Sequence, residues 1–498
     1  YKKDREEGRI TPEEAQELIE HIWLKITELT DFNAPIMASG AHTTPRYVTI
    51  GGQDSLGRDS TNELTYIIMD SVKALKLVEP MMVVRLHRNT PDEFLYRFTD
   101  ILREDAGHYG IFNDEFMVPF LMSKGFSVED ARNWAVEDCM RHAIVGKPMS
   151  HRAIAGIGFV LLKCLEYALN QGRDHKFFGG KLCALPTPDP LTFASIEDVI
   201  QAYLDQVRFF TEKIVIFSNI TDAVEEQWLH QPFNSALLDG CIESATDLRE
   251  LHYWHKTNVQ PVGHTSVVNG LFAMKKLIFD EKKVTMAELK QALKDNWEGH
   301  EDLRRMFLDA PKFGNDDDEI DLFARDIHLR TAQAMQDFRT IYGHHVTCDG
   351  SGSASYFHFS GLTGATPDGR KDRETFNDGT VSPTIGTDKK GPTAVLRSVA
   401  KIDPMLTFNH LFNQRIMPEF LEGDNRSKFV AYLRTFVNLG IYHIQFNVID
   451  NAVLKEAQAH PEDHESLIVR VAGFSAYFVD MNTEVQNQII ERTRHRLS

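Results

Sequence analysis

The sequence predicts an α/β protein. Helix starts marked by capping residues alternate with short β-rich runs, and no fixed-period repeat runs through the chain. The first start is Thr11-Pro12-Glu13-Glu14, where Thr11 can accept from exposed amides, Pro12 suits the first turn and Glu14 can reach back. Leu18, Ile19, Ile22, Trp23 and Ile26 follow at helical spacing and predict an apolar core stripe. Thr90-Pro91-Asp92-Glu93, Ser127-Val128-Glu129-Asp130, Ser195-Ile196-Glu197-Asp198 and Thr285-Met286-Ala287-Glu288 repeat the pattern, and the helix opened by Ser127 is predicted to reach Val136. Strands are predicted at residues 46–50, 81–86, 442–448 and 467–471, each short enough for a buried strand of a barrel or mixed sheet. Residues 185–191 contain three prolines and read as a linker or surface loop, and residues 314–319 as a solvated acidic turn. Residues 361–391 are too polar for a core element and read as a long functional or packing loop. No break separates two domains, which favours one large catalytic unit.

Composition narrows the function. At 498 residues, with 42% hydrophobic and 25% charged residues, the chain matches ordinary globular proteins and not disordered or fibrous ones. No apolar run approaches the ~18–20 residues of a membrane span, and Tyr1 opens no basic-then-apolar leader. The net charge of −18, with no basic stripe to offset it, makes nucleic acid and anionic membranes poor partners. The five cysteines, Cys139, Cys164, Cys183, Cys241 and Cys348, are odd in number and form no C-x-x-C pair. That disfavours a disulfide framework or a cysteine zinc site and predicts a reducing, cytoplasmic setting. A start at Tyr1 without methionine is expected of a cut end or an interior starting point.

Two segments carry the chemistry. In Val469-Arg470-Val471-Ala472-Gly473-Phe474-Ser475-Ala476-Tyr477-Phe478 a strand runs into a glycine turn, and Asp138-Cys139-Met140-Arg141-His142 follows the predicted 127–136 helix. Alone, Gly473 would be an ordinary tight turn and Cys139 a small core residue. Together with other blocks in order they resemble the glycyl radical enzyme superfamily of pyruvate formate-lyase and the diol dehydratases. Arg470–Phe478 resembles the radical signature, with Phe474 where tyrosine is usual. Val48-Thr49-Ile50-Gly51-Gly52, Val84-Arg85-Leu86-His87, Phe112-Asn113-Asp114-Glu115, Thr366-Pro367-Asp368-Gly369-Arg370, Ser382-Pro383-Thr384 and His443-Ile444-Gln445-Phe446-Asn447 extend the likeness along the whole chain.

The resemblance implies a ten-stranded α/β barrel surrounded by helices, of which this chain holds the second half. It also implies a barrel region over residues 1–370 and a glycine radical domain over 371–498. Gly473 would carry a backbone radical, installed by a separate S-adenosylmethionine iron–sulfur activase, with no bound cofactor and no metal. That radical would take hydrogen from the Cys139 thiol, and the thiyl would take hydrogen from a small-molecule substrate. Arg470, Phe474 and Ser475 would support the radical loop. The implied protein is oxygen-sensitive, works in anaerobic metabolism and is a homodimer.

Three departures shape the expectation. Most dehydratase, amine-lyase and sulfite-lyase members place a basic glutamate two residues after the cysteine. Here Arg141 stands there, unable to act as that base but able to fork onto a carboxylate. An ion pair of Arg141 with Glu137 or Asp138 is the plainer alternative. His142 joins Arg141 as a candidate substrate group, with His151 and Arg152 behind them. Met140 follows Cys139 where pyruvate formate-lyase has a second cysteine, and family members carry several hundred further residues before the region matching Tyr1. Three readings therefore stand open. The chain is a glycyl radical enzyme breaking or forming a C–C, C–O or C–X bond in a carboxylate-bearing metabolite, a diol dehydratase-type eliminase with another base, or a silent partner subunit. His344, His345 and Cys348 are a weaker metal signal, outweighed by a loop or core role.

Overall fold

Short runs of branched and apolar residues become strands throughout the computed structural model, which describes residues 1–28, 46–137, 139–147, 149–251, 254–350 and 359–491. In chain order these are β1 (Tyr47–Gly51), β2 (Met81–Leu86), β3 (Tyr109–Asn113), β4 (Trp134–Val136), β5 (His142–Ile144), β6 (Met149–Val160), β7 (Arg173–Asp174) and β8 (Lys181–Leu182). They continue with β9 (Trp254–Val262), β10 (Thr347–Gly350), β11 (Thr407–His410), β12 (Asn413–Ile416), β13 (His443–Val448), β14 (Ile468–Arg470) and β15 (Ser475–Tyr477). The chain divides into two compact units. One holds Tyr1–Val145, Gly391–Thr393 and Phe412–Ser498; the other holds Gly146–Lys390 and Ala394–Leu411.

The first unit is built on a sheet of order β1-β2-β3-β13-β12, parallel except where β13 runs against β3. Every residue of β2, β3 and β13 is buried, as expected of strands covered on both faces. Apolar side chains explain most of that burial. Arg85, Asn113, His443, Gln445 and Asn447 do not fit an apolar core, and all five lie in these strands with 6% exposure or less. A buried polar group is stable only when hydrogen-bonded, so these positions mark where the sheet holds something in place.

The second unit carries a wholly parallel sheet of order β11-β10-β9-β6. Helices Leu161–Leu169 and His264–Met274 follow β6 and β9, and helix Asp318–Gln336 precedes β10. The polar 361–391 segment is a packing loop: Arg370, 5% exposed, turns its guanidinium back onto the Thr366 hydroxyl and the Ser360 carbonyl. Trp297 closes over it, donating to the Arg370 carbonyl at 3.1 Å.

The capping boxes at Thr11, Ser195 and Thr285 form, and Ser127 caps its helix through the amide of Asp130. Four expectations need correction. The helix after Ser127 ends at Arg132, because Trp134–Val136 pairs with His142–Ile144 as strand. Thr90 does not cap its helix; its hydroxyl accepts from the His87 amide instead. In helix Pro12–Glu28 the apolar stripe is only partly buried, with Trp23 inside and Leu18 and Ile22 more than half exposed. The acidic run at 314–319 is structured: Asp317 caps helix Asp318–Gln336, and Asp316 pairs with Arg397 and Lys401.

Candidate functional site

Cys139 lies in the loop that joins β4 to β5, an antiparallel hairpin with Val136 opposite His142. Three anchors hold this hairpin. Arg85, inside β2, forks onto Asp114 with both contacts at 2.9 Å, and its remaining donors reach the Trp134 and Arg132 carbonyls at 2.9 Å. Its guanidinium also lies 4.7 Å from the Trp134 ring centre, and the Trp134 indole donates to Asp114. The Thr49 hydroxyl accepts from the Val136 amide at 3.2 Å, and the Tyr442 hydroxyl donates to the Met140 carbonyl at 2.5 Å. Gly52 explains its own presence: at φ +77° a Cβ there would fall 2.5 Å from Arg85 Nε.

Gly473 lies at the tip of a second hairpin, β14–β15, with Arg470 opposite Ser475. The Val471 amide donates to the Phe474 carbonyl and closes the tip. Arg470 is 1% exposed and organises the turn from below. Its Nε donates to Gln445, Nη1 to the Ser475 hydroxyl and Nη2 to the Gly473 carbonyl at 2.9 Å. Burial lowers the pKa of this guanidinium, opposed by the neighbouring Tyr47 and Cys139. Asn447 brackets the Arg470 backbone, donating to its carbonyl at 2.7 Å and accepting from its amide at 2.8 Å. The Ser475 amide lies 3.0 Å from Met81 Sδ, its hydroxyl donates to the Gly107 carbonyl, and Phe474 is fully buried.

The two tips touch. A Cβ built on Gly473 would sit 2.4 Å from Cys139 Cβ, 3.1 Å from its Cα and 3.3 Å from its Sγ. Gly473 also has φ +82°, a left-handed conformation that side chains disfavour. Only glycine satisfies both demands, so the Gly473 backbone and Cys139 lie against each other because no side chain stands between them.

Of the remaining sequence-predicted residues, Arg141 is half-buried beside Cys139, its carbonyl accepting from the Glu137 amide. His142 is fully buried among Phe120, Trp134 and Tyr442, with Tyr442 Oη 3.5 Å from its Nδ1. Asp138 lies outside the described residues, as do the side chains of His151 and Arg152. Among the described residues no cluster of three or more His, Cys, Asp or Glu could hold a metal, and His345 instead meets the Gln336 carbonyl. No helix of the described residues is long and apolar enough to cross a membrane. Sequence reading missed the Arg85–Asp114–Trp134 clamp, Tyr442 and Tyr47, whose hydroxyl donates to the Gly473 carbonyl at 2.9 Å. A lone charge inside the apolar run of β2 was a usable signal for Arg85; nothing in its own neighbourhood marks Tyr47.

Known proteins resemble this chain over nearly its whole length. The profile of the Pyruvate formate lyase-like family matches residues 1–360, and that of the Glycine radical domain matches residues 377–479. An isethionate sulfite-lyase of Oleidesulfovibrio alaskensis is 36% identical over 507 residues, covering 99% of this chain and 60% of its own. A trans-4-hydroxy-L-proline dehydratase of Clostridioides difficile is 33% identical, covering 99% of this chain and 62% of its own. The glycerol-bound B12-independent glycerol dehydratase of Clostridium butyricum superposes with a TM-score of 0.92 at 34% identity, over 98% of this chain and 62% of its own. The chain thus spans about 60% of the length of the relatives it matches, and its fold is the α/β barrel type expected from the sequence. A matching family profile, the same fold and a glycine hairpin set against a cysteine hairpin converge: the chain belongs to the pyruvate formate-lyase-like family of glycyl radical enzymes.

Proposed function

We propose that this chain is the catalytic part of a glycyl radical lyase or dehydratase acting on a small metabolite that carries an anionic group. The observation that supports it is the contact between Gly473 and Cys139, with van der Waals space for nothing larger than hydrogen between them. In this reading an S-adenosylmethionine iron–sulfur activase removes one hydrogen atom from Gly473 Cα. The Gly473 radical then takes the hydrogen of Cys139 Sγ–H, and the resulting thiyl abstracts hydrogen from substrate. After the substrate bond breaks, the thiol returns a hydrogen atom to the product radical, and the thiyl so formed takes hydrogen from Gly473 Cα, restoring the radical there. Residues 1–370 would supply the cysteine loop and substrate wall, and 371–498 the radical domain. The setting would be reducing and anaerobic, in the cytoplasm, and the assembly a homodimer.

Arg141 is the proposed ligand for the anionic group, since a guanidinium matches a carboxylate or sulfonate with two parallel donors. Relatives that eliminate sulfite from isethionate or water from hydroxyproline favour elimination over acyl transfer, as does Met140 beside Cys139. The base for such an elimination would then come from a group other than residue 141. His142, enclosed by rings, would hold the cysteine loop in place of the substrate contact first expected of it.

The test is anaerobic incubation with an activase and S-adenosylmethionine, read by electron paramagnetic resonance. A doublet that disappears in Gly473→Ala is expected; a silent wild type with several activases returns the chain to the partner-subunit reading. Arg141→Gln should lower kcat/KM for anionic substrates by about 10–100-fold, the loss of one charge-assisted pair of roughly 1.5–3 kcal/mol, and spare neutral diols. Equal losses for both would remove the anionic substrate.

A further inference from the structure

The carbonyl oxygen of Gly473 accepts two hydrogen bonds, from the Tyr47 hydroxyl at 2.9 Å and from Arg470 Nη2 at 2.9 Å. The donors arrive from opposite ends of the chain. Tyr47 begins β1, whose pairing with β2 fixes it in register with Met81. Arg470 ends β14 and is itself locked by Gln445, Ser475 and the two bonds of Asn447. The turn also carries its own backbone bond, from the Val471 amide to the Phe474 carbonyl, to which these two donors are added. A carbonyl oxygen has two lone pairs, and here both are taken by side chains, one of them cationic.

We propose that Tyr47 and Arg470 tune the radical at Gly473 through its carbonyl oxygen, making Gly473 rather than Cys139 the resting place of the unpaired electron. The proposal rests on the glycyl radical reading and deepens it. A radical at Cα is shared with the amide nitrogen and the carbonyl. In one contributing form negative charge sits on the carbonyl oxygen and the unpaired electron on nitrogen. Donors at that oxygen favour this form and lower the energy of the radical, more strongly in a dry site than in water. The step they bias is Gly473 Cα• + Cys139 Sγ–H → Gly473 Cα–H + Cys139 Sγ•, in which one hydrogen atom moves and no charge does. Stabilising the left side keeps the reactive thiyl scarce until substrate is present. Tyr47 and Arg470 are therefore positioning residues, acting on the chemistry through Gly473.

The same geometry defines a readout that a merely structural role would not move. Draining spin from Cα reduces the splitting that the remaining α-hydrogen imposes on the resonance. Wild type, Tyr47→Phe and protein with 3-fluorotyrosine at position 47 are activated anaerobically and compared by electron paramagnetic resonance. Tyr47→Phe, lacking one donor, should show a wider doublet and a radical yield lowered several-fold. Fluorotyrosine, the same shape with a stronger phenolic donor, should narrow the doublet. Should Tyr47→Phe fail to fold or activate, the fluorotyrosine protein alone decides. Splittings identical to wild type overturn the proposal and leave the glycyl radical reading intact; a wild type with no radical overturns both.

Discussion

The hairpin that carries Cys139 and the hairpin that carries Gly473 are each clamped by a buried arginine, yet the two clamps differ in kind. Arg85 meets a carboxylate: Asp114 takes its fork, Trp134 covers its face, and the strand carbonyls at Arg132 and Trp134 take what remains. Arg470 reaches the amide oxygen of Gln445, the Ser475 hydroxyl and the carbonyl of Gly473. The first clamp neutralises charge locally and fixes a strand pair from outside the loop. The second sends its charge into the turn, onto the carbonyl oxygen of Gly473. One arginine holds position; the other holds position and polarises. Under the proposed function the difference has a reason: a sulfur that must only be presented needs rigidity, whereas a carbon that stores an electron needs an environment as well.

The largest effect should come from breaking the first clamp. Asp114→Asn leaves Arg85 buried without its counter-charge, and a loss of about 3–5 kcal/mol is expected in urea unfolding. A loss below about 1 kcal/mol would mean that the carbonyls alone hold the Cys139 hairpin, and the contrast would collapse. Asn447→Ala should be milder. It removes two backbone bonds of Arg470 without removing charge, costing about 1–3 kcal/mol, and it should reduce radical yield before it reduces folding.

The smallest effect is a pH dependence. His443 is fully buried against Phe112 at 4.7 Å, and burial together with the Arg470 charge holds its pKa well below the usual value. The folded state therefore prefers the neutral ring. Its contribution is complete above the unfolded value of about 6.5 and is lost as pH falls below it, because the unfolded chain then binds the proton first. Folding stability of wild type should drop between pH 6.5 and 5 more steeply than that of His443→Gln, by at most about 1.4 kcal/mol per pH unit. Parallel curves would show that neither burial nor the Arg470 charge disfavours the protonated ring.

Much of the fold could be read locally. Strand Met81–Leu86 follows from a run of branched and apolar residues, His443–Val448 from apolar residues at every second position, and three capping boxes from side chains three positions apart. Such signals work because the interacting groups are near neighbours in the chain. The failures are equally physical. The helix after Ser127 stops early because Trp134–Val136 finds a strand partner across the cysteine loop, an attraction that helical periodicity does not register. Leu18 and Ile22 stand exposed because an apolar stripe states what could be buried and not what covers it. Residues 361–391 were read as a functional or packing loop, and Arg370 packs the first part of it by donating to the Ser360 and Glu374 carbonyls.

The site divides in the same way. Cys139, Gly473 and Arg470 were legible in the sequence through ordered blocks that resemble the glycyl radical enzymes, since alone the glycine reads as a turn and the cysteine as a small core residue. The clamp of Arg85, Asp114 and Trp134, and the reach of Tyr47 to the Gly473 carbonyl, exist only once β1, β2 and the two hairpins have packed. Sequence by itself determined that a thiol and a carbon without Cβ are on offer, 334 positions apart. Tertiary structure alone decided that they touch and what surrounds them, because contact and polarity act across space and leave no trace in spacing along the chain.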